Sequence, residues 1–172
     1  ASFKLTAAEI AAQAAAETAT GNFEQGQIQL LKTAAEAANQ VQVVATREAL
    51  FSRIHARTEA LAIQNVEAFE GGTLDDLSNA QTAVSALAGS ETKVTFQERI
   101  DARILSLVNA LAEAFNNSGD DLAPGLAVRS AIAAVNDATL LGAIIANVDA
   151  HANALAENLT DRFEHNEQGL TY

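Results

Sequence analysis

The residues with most capacity for chemistry in this chain are two arginine pairs, Arg53/Arg57 and Arg99/Arg103. A spacing of four puts both guanidinium groups of a pair on one helical face. A guanidinium fork matches a carboxylate bidentately, so each pair reads as an anion-binding or partner-binding strip. The competing reading is internal, with the forks held by carboxylates at helix ends. Asp75-Asp76 and Asp120-Asp121 are the candidates. A net charge of −12 favours that internal reading, because acids outnumber bases two to one.

The three histidines offer less. His55 has Glu59 one turn further on, and His151 follows Asp149, while His165 stands near the end. A metal needs several convergent ligands, and no Glu-x-x-His motif of the di-iron bundles is present. Asp101 replaces His55 in the repeat described below, which suits an exposed position. The acidic segment Asn116-Asn117-Ser118-Gly119-Asp120-Asp121 carries oxygen ligands suited to calcium. It lacks the alternating spacing and terminal bidentate Glu of an EF-hand, so helix capping accounts for it better. The chain has no cysteine, hence no thiolate ligand, thiol nucleophile or disulfide. No Ser/His/Asp constellation and no phosphate-cradling glycine loop can be placed. The sequence therefore assigns no catalytic residue, no metal site and no cofactor, and the expectation is a protein that is not an enzyme.

The elements that carry these residues are written twice. Arg53-Ile54-His55-Ala56-Arg57 returns 46 positions later as Arg99-Ile100-Asp101-Ala102-Arg103. Glu67-Ala68-Phe69 returns at the same shift as Glu113-Ala114-Phe115, and Asp75-Asp76-Leu77 returns one position out of step as Asp120-Asp121-Leu122. Asn153-Ala154-Leu155-Ala156-Glu157 echoes Asn109-Ala110-Leu111-Ala112-Glu113 as a third, partial copy. Each copy reads as a long amphipathic helix, a break, an acidic first turn and a shorter Ala-rich helix. Alanine dominates the composition, aromatics are 5% and there is one proline. Such a chain is helix-prone and fills its core with thin side-chain layers. The expected fold is all-α: an antiparallel bundle of long and short helices, possible duplication of a hairpin of about 46 residues included. A chain of 172 residues suits one domain, 1–172, with an N-terminal arm at 1–5 and a polar tail at 165–172.

The boundaries follow from local signals. Thr6-Ala7-Ala8-Glu9 is a capping box that opens a helix ending at Gly21-Asn22. From Phe23 to Gly71 nothing but a kink near Asn39-Gln40 interrupts the helical period. Thr73 caps a short helix that ends near Ala88, Thr95 caps the next long one, and Leu126 begins the second short one. The cleanest apolar stripe runs through Phe96, Ile100, Ile104, Leu107, Val108, Leu111 and Phe115, and places Ile100, Leu107, Leu111 and Phe115 in the core. The final stripe ends at Phe163, which reads as core with the other phenylalanines.

Function is bounded by charge and by what remains unburied. The ten basic residues are scattered and the pI is near 4.5, which argues against nucleic acid. Ala138 to Val148 is the longest uncharged apolar stretch and is too short to span a bilayer. With no methionine even at position 1, processing is expected, by loss of an initiator Met or of a signal peptide; the compartment stays open. Both termini carry apolar anchors, Phe3 and Leu5 at one end and Leu170 and Tyr172 at the other. These are the candidate assembly contacts, because chain ends are normally polar and frayed. The expectation is a structural protein that self-assembles, its main partner a further copy of itself. The alternatives are a helical adaptor for another protein and, behind it, a non-covalent carrier of an apolar ligand.

Overall fold

The computed structural model describes residues 4–119 and 121–168, with side chains described as far as 165. Among the described residues the chain is all-helical, 84% helix with no strand. Seven α-helices follow one another: α1 (Ala7–Gln25), α2 (Leu31–Asn39), α3 (Val44–Gly71), α4 (Leu77–Ser85), α5 (Ser90–Asn116), α6 (Ala123–Ile132) and α7 (Ala138–Gln168). Single 3₁₀ turns at Ile28–Leu30 and Leu74–Asp76 lead into α2 and α4. Two compact units result, Ala1–Ile100 and Asp101–Tyr172, and α5 runs through the boundary between them.

Long and short helices alternate on a fixed spacing. The short helices α2, α4 and α6 begin at Leu31, Leu77 and Ala123, 46 positions apart each time. Phe23, Phe69 and Phe115 keep the same interval near the ends of α1, α3 and α5, and each is at most 1% exposed. The short helices present small residues to this interior: Ala34 and Ala38 in α2, Ala80 and Ala83 in α4, Gly125 and Ala131 in α6. Small residues let helix axes approach closely, which suits a core with few large side chains. Gly125 shows the limit, since a Cβ there would stand 2.9 Å from Cε2 of Phe115. In the first unit Phe23, Leu50, Ile54 and Leu61 join Ala34, Ala38 and Val41 in one buried cluster.

Several boundaries differ from the sequence expectation. Helix α1 passes through Gly21-Asn22 and ends at Gln25, with the Gly26 N–H donating to the Phe23 carbonyl at 3.1 Å. A glycine inside a helix costs only about 1 kcal/mol relative to alanine, and the alanine-rich flanks outweigh it. The segment expected as one kinked helix is two, because residues 41–43 leave the helical conformation before α3 starts. Helix α5 begins at Ser90, so Thr95 lies inside it and its hydroxyl donates to the Glu91 carbonyl instead of capping. Helix α6 begins three residues before Leu126, with Pro124 in its first turn, where a missing N–H is harmless. Helix α7 continues to Gln168, through the beginning of the expected tail.

The core of α5 also needs a correction. Ile100 and Phe115 are buried as expected, but Leu107 and Leu111 are only half-buried. The interior row is Phe96, Ile100, Ile104, Val108, Ala112 and Phe115. Steps of four drift slowly around a helix of 3.6 residues per turn, so two neighbouring rows compete for the interior. Phe96, Ile104 and Val108 of the expected stripe lie on the buried row, and Ala112 completes it in place of Leu107 and Leu111. The overlap with the expected stripe was partial for this reason alone.

Candidate functional site

The arginines hold helix ends. Arg53 donates from Nε and Nη2 to both carboxylate oxygens of Glu24, at 2.8 and 2.7 Å, and from Nη1 to Glu17 at 2.7 Å. Arg57, one turn on, donates from Nη2 to the carbonyl of Gly26 at 2.6 Å. Together they clamp the C-terminal end of α1 to α3. Arg99 repeats the fork on Glu70 in the last turn of α3, at 2.8 and 2.6 Å, and its guanidinium lies 5.4 Å from the centre of the Phe96 ring. Arg103 follows one turn later and is half-buried.

The carboxylates therefore come from the preceding long helix, not from Asp75-Asp76. Asp76 instead accepts the Thr73 N–H and completes a capping box. Glu24 and Glu70 sit where a helix dipole disfavours negative charge, and the guanidinium fork offsets that cost. The Arg53 hydrogen bonds hold the Glu24 carboxyl below its ordinary value, and the paired glutamates raise Arg53 and Arg99. All three pairs are more than a third exposed or close to it, so each contributes only about 0–1 kcal/mol. They fix geometry more than they add stability. At the next interval Asn116 takes the place of Glu70 and donates to Asn147 Oδ1 at 3.2 Å.

Glu9 performs a second long-range cap. Thr6 accepts the Glu9 N–H at 3.1 Å, which is half of the expected capping box. The Glu9 carboxylate does not reach back to Thr6. It accepts from Gln13 Nε2 at 2.9 Å, from the Gln42 N–H at 3.1 and 3.0 Å, and from the Val43 N–H at 3.2 Å. Those two N–H groups precede α3, whose own N-cap, Val43, has no side-chain acceptor. The carboxylate thus satisfies donors at a helix start and meets the positive end of its dipole. The Gln13 hydrogen bond, followed by that of Gln42, lowers the Glu9 pKa against an opposing effect of burial.

A folded value below the ordinary 4.5 means stability that is present above that pH and is lost as pH falls through the folded value. Glu9→Gln should consequently melt at a lower temperature than the parent at pH 7. The gap should narrow as the melts are repeated down to pH 3.5, measured by circular dichroism. A gap constant over that range would remove the charged cap as its cause.

The histidines stay apart. His55 faces the Phe51 ring at 6.1 Å, and His165 places Nδ1 2.7 Å from the Asp161 carbonyl oxygen. His151 meets Phe115 edge-on at 4.7 Å, with a buried Nε2 that has no protein partner. Among the described residues no three His, Asp or Glu side chains converge as a metal site would require. In the acidic segment Asp121 Oδ1 accepts the Ala123 N–H at 2.9 Å and so opens α6. Gly119 there has φ +64°, a left-handed turn that glycine adopts without strain. Asp120 lies outside the described residues.

Of the candidate assembly contacts, Leu5 is 38% exposed, while Phe3, Leu170 and Tyr172 lie outside the described residues. Leu5 borders a groove of about 610 Å³ with Lys4, Ala8, Glu9, Ala12 and Val43. The sequence reading missed the most exposed apolar positions, Leu126 at 70% and Phe163 at 63%. Phe163 was expected in the core and is instead on the surface. It also missed Glu24 and Glu70, although a visible signal existed: Phe23-Glu24 and Phe69-Glu70 are one dipeptide at the repeat interval. No described helix is long and apolar enough to cross a membrane. No protein-family model, curated protein or solved structure matches this chain.

Proposed function

We propose that this chain is a non-enzymatic structural protein that assembles with copies of itself, built as an antiparallel bundle from a duplicated helical hairpin. Duplication is supported by the common interval of α2, α4 and α6 and by the Arg53–Glu24 and Arg99–Glu70 forks, each spanning 29 positions. The observation that carries assembly is the uncovered apolar surface of the second unit. Leu122, Leu126, Leu140, Ile145, Leu159 and Phe163 are all at least 37% exposed. Of these, Leu159 and Phe163 lie one turn apart on α7, and apolar residues exposed together on one face mark interaction surfaces more often than scattered ones do.

Light scattering across a micromolar concentration series tests the reading. A native mass that is a multiple of 17.9 kDa and grows with concentration is expected. A monomer at every concentration would transfer the exposed face to a different protein partner, the adaptor reading.

A further inference from the structure

We propose that the C-terminal end of α7 docks head-to-tail on the N-terminal turn of α1 in a second copy, with Phe163 in the groove beside Leu5 and Glu164 paired with Lys4. The contact rests on the self-assembly reading and gives it a specific surface.

The chain itself shows how such a surface is covered. The dipeptide Phe-Glu occurs at 23–24, 69–70 and 163–164. In the first two cases the ring is 0% exposed and the carboxylate is gripped by an arginine, Arg53 or Arg99, at the tenth residue of the following long helix. In the third case the ring is 63% exposed and no described residue pairs with Glu164. The pattern is thus complete twice and open once.

The complementary opening lies at the other end of the chain. Counting back by the same 46 positions from Arg53 gives Ala7, the first residue of α1. Helix α1 has no arginine there, nor at its tenth residue, Ala16. Lys4 stands one turn before Ala7, exposed, and no described residue pairs with it. Beside it lie the exposed Leu5 and the groove walled by Ala8, Ala12 and Val43. Its volume of about 610 Å³ exceeds what a phenyl ring needs. Glu9 in that groove is already held by Gln13, Gln42 and Val43, so its charge is engaged away from an incoming acid. Phe163 with Glu164 on one end and Leu5 with Lys4 on the other are complementary pairs, and joining unlike ends propagates into rings or open filaments.

The test uses the full chain and reads native mass against concentration. Phe163→Ser should raise the concentration needed for assembly about thirtyfold, as loss of an anchor ring does. Helicity should be unchanged, because the ring is exposed in the single copy. Lys4→Glu and Glu164→Lys should each weaken assembly about fivefold through like-charge contact. An equimolar mixture of the two should assemble like the parent, because each variant then meets an opposite charge. A parent that assembles while all three variants match it would overturn this contact and leave self-assembly standing. A monomeric parent would overturn both.

Discussion

Phe69→Ala is expected to lower the free energy of unfolding by about 3–5 kcal/mol. The ring is fully buried in the last turn of α3, at the place where α4 turns back through the Leu74–Asp76 turn. Helix α4 packs against α3 and buries Ala80 and Ala83, residues too small to fill the space the ring would leave. A cavity therefore persists, and the lost transfer energy and the cavity cost add. Domains of this size have only about 5–15 kcal/mol to lose, so a large shift of the urea midpoint should follow. Phe163→Ala supplies the control at concentrations where the chain is a single copy: same residue, same following glutamate, yet 63% exposed, so the midpoint should scarcely move there. Equal losses at the two positions would mean that burial does not distinguish them.

The recurring residues were legible because they are a matter of identity, and identity needs no structure. Phe23, Phe69 and Phe115, the arginine pairs and the Ala-rich short segments could all be read directly. The partners of the arginines could not. Arg53 meets Glu24 across 29 positions, and that pairing depends on α1 ending at Gln25 and not at Gly21. Once a helix end is placed four residues early, Glu24 falls on the wrong element. The same holds for the break between α2 and α3. The sequence located it near Asn39-Gln40 but read a kink, because the group that stabilises a full break is Glu9, 34 positions before Val43. A carboxylate delivered from another helix leaves no local mark at Val43, where the sequence offers only β-branched residues. Exposure at Phe163 was hidden for a similar reason. Its stripe is as apolar as those of α3 and α5, and periodicity reports which residues share a face, not whether anything covers it.

The interior of α5 gives the second large effect. Ile104 is 1% exposed, and Ile104→Ala should cost about 2–5 kcal/mol. Leu111, although the larger target by sequence pattern, is only partly buried, and Leu111→Ala should cost roughly 1–2 kcal/mol, since part of its surface is already hydrated. The difference follows from the row each residue occupies. Ile104 lies on the row that runs through Ile100, Val108 and Ala112 to Phe115, each of which is itself buried. Leu111 lies beside that row and keeps one side in water, so truncation there deletes contacts without opening a sealed cavity. Urea denaturation of the two variants decides the matter, with the slope checked to be equal so that the midpoints compare. A larger loss at Leu111 than at Ile104 would mean that the leucine row, and not the isoleucine row, faces the core, and that α5 is rotated about its axis relative to this structure.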